Sequence, residues 1–234
     1  MNKFIYAAEL KKQYKCYGHF YQLLLGDGSR AKCRSVLEIV DFTKKEPRVS
    51  TLYEAEPDAI IIMMNPGSSR PMDKEYIDEE IRYNKESTSD LPKPLILTQP
   101  DTTQYQVMRL MKSKKWKHVR VLNLSDLREP KSNKLFEKIA IIEDRKDGRH
   151  HTIFCKDRQF EIKRSLKRKK GAPIISAWGL DSFLKPLAGL CFDHIDYQMV
   201  KGLPATDEPH LFFHPSPMLH KNKVRWLKQM LQLL

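Results

Sequence analysis

Two short motifs carry the side chains best suited to chemistry. His214-Pro215-Ser216-Pro217 follows the apolar run Leu211-Phe212-Phe213, and Asn65-Pro66-Gly67 closes the run that begins at Ala59 and ends in Met63-Met64. An imidazole titrates near neutrality, so His214 can move a proton under cellular conditions. A carboxamide cannot; Asn65 can only orient a partner through hydrogen bonds. Each motif follows a run that reads as a buried strand, and open α/β sheets place ligands beyond strand ends. Two further segments finish the same way, Val119-Arg120-Val121-Leu122-Asn123 and Ile174-Ile175-Ser176-Ala177-Trp178-Gly179. Taken singly, each residue has a plainer reading: Asn65 and Gly67 as turn formers, Asn123 as a strand-end turn residue, His214 as a cap or core histidine.

The elements that must position these groups follow from periodicity. Residues 14–42 read as a hairpin around Gly26-Asp27-Gly28, with Ser35–Val40 in its second strand. Ala59–Met64, residues 118–124, 173–177 and 211–213 read as four strands, and Ala59–Met64 is β-branched at its centre, as a strand covered on both faces requires. Thr102–Lys112 reads as a helix capped by Asp101, and Leu135–Ile142, Leu180–Leu187 and Lys223–Leu234 as further helices. Residues 68–100 are polar and proline-rich, a long loop with a short helix at Lys74–Tyr83. Strands alternating with helices predict an α/β fold: a three-layer α/β/α sandwich on a central, mainly parallel four-stranded sheet, plus an N-terminal β-hairpin. The expected organisation is one domain over 1–234, with 1–57 as a hairpin extension and 132–170 as a basic insertion.

Forty-two Lys and Arg against 29 Asp and Glu give a net charge of +13, which favours a polyanionic partner and points first to DNA. The run Lys163–Lys170 is either a solvated helix end or a phosphate-contacting face. Four dispersed cysteines show no metal-site spacing, so neither a metal nor another cofactor is expected, and the thiols should be buried and reduced. The N-terminal apolar stretch is too short for a signal segment and no run approaches a membrane span, so a cytoplasmic monomer without membrane contact is expected.

In their order along the chain, the four strand-end segments resemble those of the uracil-DNA glycosylase superfamily, from Ala59 to the C-terminus. Asn65-Pro66-Gly67 is similar to the mismatch-specific branch, and Asp101-Thr102-Thr103 with Asn123-Leu124 is similar to an uncharacterised bacterial branch of the same fold. The resemblance implies that Asn65 positions the attacking water, that His214 donates to the base oxygen, and that Asn123 reads the base. Met64, Pro66, Gly67 and Phe213 would line the base pocket. Ser68 and Ser216 would meet phosphates, while Pro217, Met218 and Leu219 form the loop that wedges into the duplex. Gly67 replaces the tyrosine that excludes carbon-5 substituents in uracil-selective relatives, so an enlarged pyrimidine should fit. Asp126, three residues after Asn123, is either an ordinary surface acid or a spare carboxylate near the same rim that assists with water or sugar, and Tyr83 and Phe213 are candidates for stacking on the base.

The expected activity is therefore hydrolysis of an N-glycosidic bond by a monofunctional DNA glycosylase, slower than in relatives with Asp at the Asn65 position. The base would be uracil-like or modified, including modified cytosine of phage DNA, in base-excision repair or antiviral defence. No lysine lies in the motifs to form a Schiff base, so an abasic site should result without strand cleavage. The alternatives are a catalytically silent nucleic-acid-binding module of the same fold, or a hydrolase of free nucleosides or nucleotides.

Overall fold

The computed structural model describes residues 4–82, 94–144 and 149–234. The fold is mixed α/β. Its strands are β1 (Tyr14–Leu24), β2 (Arg30–Asp41), β3 (Ala59–Met63), β4 (Arg70–Pro71), β5 (Glu79–Ile81), β6 (Ile96–Gln99), β7 (His118–Asn123), β8 (Ile174–Ser176) and β9 (Val200–Lys201). The helices are α1 (Ala7–Lys11), α2 (Val49–Leu52), α3 (Thr102–Lys114), α4 (Ser132–Asp144), α5 (Gln159–Ser165), α6 (Lys185–Phe192) and α7 (His220–Leu233).

Among the described residues the strands form one nine-stranded sheet in the order β4-β6-β1-β2-β7-β3-β8-β9, with β5 beside β1. The run β7-β3-β8-β9 is parallel, and the short β5 also lies parallel to β1, whereas the pairings of β1 with β2 and β6, of β2 with β7 and of β4 with β6 are antiparallel. Two features differ from the expected sheet. The hairpin β1–β2 is no appendage: β2 pairs antiparallel with β7, placing Leu37 opposite Val121 and Ile39 opposite Val119. Residues 211–213 are not a strand of the sheet, since Phe212 makes only isolated bridges to Gly179 and Pro204 while Val200–Lys201 takes the place beside β8. Nor is there a helix at 74–82, part of which is β5; Tyr83 lies outside the described residues.

Alternation along β3 explains the packing. Ile60 and Ile62 join the apolar cluster that includes Leu52, Leu135, Ile162 and Leu187 of α2, α4, α5 and α6. Ala59, Ile61 and Met63 face the other way, onto Leu10, Val107 and Met230 of α1, α3 and α7. Successive residues of a strand point to opposite faces, so an unbroken apolar run needs cover on both. None of the helices described is long and apolar enough to cross a membrane. All four cysteines are buried and unpaired.

Two buried ion networks tie distant elements together. Arg120 donates to Glu38 Oε1 at 2.6 Å, to the Ser165 carbonyl at 3.1 Å and to the Tyr53 carbonyl at 2.5 Å, while His118 Nε2 lies 2.6 Å from Glu38 Oε2. Arg158 grips both oxygens of Glu161 and donates to Asp126 Oδ2 at 2.7 Å, the oxygen that also accepts from the Tyr21 hydroxyl. Asp126 is therefore an interior structural group and not a rim carboxylate. Burial pushes its pKa up against the lowering effect of Arg158.

Candidate active site

A cavity of about 480 Å³, within the usual range of small-ligand sites, opens where β3 ends. Met64, Asn65, Pro66, Gly67 and Ser68 line it, with His214, Arg34, Pro130 and the start of α3 from Asp101 to Tyr105. The chain thus brings the carboxamide and the imidazole to one hollow. Different elements supply them: the loop after β3, and the loop that runs from Phe213 into α7.

Asn65 is held by its amide nitrogen, which donates to the carbonyls of Leu127 at 3.0 Å and Glu129 at 2.7 Å. Both amide hydrogens are engaged, so the side chain offers Oδ1 as an acceptor. Gly67 has φ of +59°, a conformation that favours glycine, and a Cβ there would meet only Asp101 Oδ2, at 3.8 Å. The turn and the open space around it therefore make separate demands for the same residue.

The Ser216 backbone N–H donates to His214 Nδ1 at 3.2 Å. That contact requires a lone pair on Nδ1, so the neutral ring carries its hydrogen on Nε2. Burial also lowers the His214 pKa from its ordinary value. The ring is a neutral donor on the cavity wall. Beyond it Ser216 Oγ is buried without a partner, and Pro217 leads to Met218 and Leu219, 98% and 56% exposed. Exposing a whole methionine beside a leucine on a proline-stiffened loop is costly in water and suits insertion into another surface.

Two placements differ from the sequence reading. Asn123 is fully buried and does not line the cavity; its amide oxygen accepts from Arg34 Nη2 and its nitrogen donates to the Asn65 carbonyl, both at 3.2 Å. It supports the wall from behind. Phe213 also does not line the cavity and is 48% exposed, whereas Tyr105 of α3 does line it. The Lys163–Lys170 run lies at the far end of the parallel strands, where Lys169 bonds Asp58 just before β3, and Arg164 is paired with Glu54.

Besides Tyr105, two cavity residues have no chemical role legible in the sequence. Asp101 caps α3 with Oδ1, which accepts from the backbone N–H of Thr103 at 2.7 Å and Gln104 at 3.3 Å. Its second oxygen stands by Gly67. Capping signals are strong in sequence and conceal the other oxygen. Arg34 reaches the cavity because β2 bulges opposite Gly18–Phe20, and a Cβ at Gly18 would come within 3.3 Å of Arg34 Cδ. No protein-family model, curated protein or solved structure matches the chain.

Proposed function

We propose that the chain is a monofunctional DNA glycosylase of the uracil-DNA glycosylase type, acting as a cytoplasmic monomer, which takes an everted pyrimidine into this cavity and hydrolyses its N-glycosidic bond. The observation that carries the reading is the convergence of Asn65, Gly67 and a neutral, Nε2-protonated His214 on one hollow at the end of β3. On this reading the helices on the two faces of the sheet make a three-layer sandwich, with β7, β3, β8 and β9 as its parallel centre.

Cleavage develops positive charge on the sugar and negative charge on the base. Asn65 Oδ1 accepts a hydrogen bond from the attacking water, and Asp101 Oδ2 lends negative charge beside it. His214 Nε2–H donates to a base oxygen. Tyr105 supplies a ring for stacking, and the space over Gly67 accepts a carbon-5 substituent. Ser216 Oγ, enclosed in the free chain, turns to a phosphate when the loop engages DNA, and Met218 and Leu219 fill the duplex position left by the everted nucleotide.

The test uses duplexes carrying uracil, mismatched thymine, and hydroxymethylated or glucosylated cytosine, each treated with alkali to cut abasic sites. Base release from at least one, with intact strands before alkali, is expected. Release from none, with DNA binding that weakens as salt rises, would favour a silent binding module instead. Turnover of free nucleosides that duplex DNA does not inhibit would favour the nucleoside hydrolase.

Asp101→Asn separates the two uses of that side chain. Asparagine caps helices as well as aspartate does, so the melting temperature should stay within a degree or two while base release falls by about 10²-fold. Equal rates for the two proteins would remove Asp101 from the reaction.

A further inference from the structure

We infer that Arg34 takes part in the reaction at this site, its incompletely partnered guanidinium stabilising through its charge the negative charge that gathers on the departing base. The inference rests on the glycosylase reading and adds a residue from the N-terminal hairpin to it. Its ground is a contrast among three fully buried arginines. Arg120 and Arg158 engage carboxylates and carbonyls through all three nitrogens. Arg34 is 1% exposed and has one contact, from Nη2 to the Asn123 amide oxygen, while Nε and Nη1 have no partner. Burial pushes its pKa down to about 10, so it remains a cation near neutrality. Groups buried in this way cost stability and persist where something else requires them.

The cavity decides what that is. Arg34 lines it together with Asp101 and His214, and Asp101 is within electrostatic reach of both. A phosphodiester continues along the strand on either side, whereas a base is a terminal group that can enter a hollow of this size and come near the Arg34 charge on its wall. Asp101 also opposes any ligand that arrives negatively charged. A fixed cation and a fixed anion that form no ion pair with one another suit a group that is neutral when bound and separates charge as it reacts. Asp101 and Asn65 then face the sugar, and Arg34 and His214 face the base.

In the step itself the bond between C1′ and the base nitrogen breaks with both electrons leaving on the base. Water adds its oxygen to C1′, and the proton it loses ends on the base. Nothing is oxidised or reduced. Because the base becomes anionic only as the bond breaks, Arg34 stabilises the transition state more than the bound substrate.

The test compares the native chain with Arg34→Met and Arg34→Lys on duplexes whose pyrimidines leave with increasing ease, from uracil to 5-fluorouracil to 5-formyluracil. Arg34→Met should lower kcat by about 10²-fold or more on uracil with KM little changed, and progressively less on the better leaving groups. It should melt at or above the native temperature, because a poorly partnered buried charge has been replaced by a thioether chain of similar length. Arg34→Lys, which keeps the charge, should recover part of the rate. A defect of equal size on all three bases, or a lowered melting temperature for both variants, would make Arg34 a structural residue and overturn the inference while leaving the glycosylase reading intact. If the native chain releases none of these bases or those above, both fall together.

Discussion

His214→Ala is expected to slow base release by about 10³-fold while duplex affinity stays within a few-fold of native. The imidazole touches the base through one hydrogen bond that strengthens as charge develops, so its loss falls on kcat more than on binding. Asn65→Ala should act similarly, with a smaller change in KM than in kcat. The pH profile adds a second check. Burial lowers the His214 pKa below 6.5, so the neutral ring persists on the acid side of that value and activity should decline only at lower pH. Protonation at Nδ1 would set two donors face to face at Ser216 and unseat the loop that carries Met218. The stability sign agrees. With its folded pKa lowered, the folded chain binds fewer protons than the unfolded chain, so His214 costs stability as pH falls through its unfolded value. Single-turnover rates on a duplex substrate between pH 5 and 8, with binding measured in parallel, decide the matter; parallel losses of rate and affinity in His214→Ala would contradict the assigned role.

Glu38→Ala should cost about 3–5 kcal/mol of folding stability, the usual penalty for stranding one partner of a buried pair. Glu38 is fully buried and accepts from Arg120, with His118 on its other oxygen, so the substitution leaves a guanidinium inside the sheet without its anion. In urea the midpoint should fall with the slope unchanged. Glu80→Ala, which breaks the exposed Arg30–Glu80 pair, should leave the urea midpoint close to that of the native chain. Similar midpoints for the two variants would show that the Glu38 network contributes little.

The parts legible in sequence were those written in local pattern. The runs at Ala59–Met63, His118–Asn123 and Ile174–Ser176 are apolar enough to require cover on both faces, and Asp101 marks the start of α3 by its spacing to Gln104. Asn65, Gly67 and His214 were legible through the residues around them. What was not legible depends on partners far along the chain. Val200–Lys201 has no strand signature of its own and pairs because β8 has an open edge, while the more apolar Leu211–Phe213 is left with lone bridges. Asp126 reads as a surface acid until Tyr21 and Arg158 close around it. Arg34 is one of 42 basic residues, and nothing near it announces that a bulge turns it inward.

That bulge has an evolutionary side. Side chains alternate along a strand, so gaining or losing a single codon between β1's Gly18 and the stretch of β2 opposite it would rotate Arg34 to the reverse face while every neighbouring residue kept its identity. The sign of the potential at the cavity wall is therefore encoded in segment length as much as in composition, and an insertion or deletion there could rewire the hollow in one event, where point changes would need several.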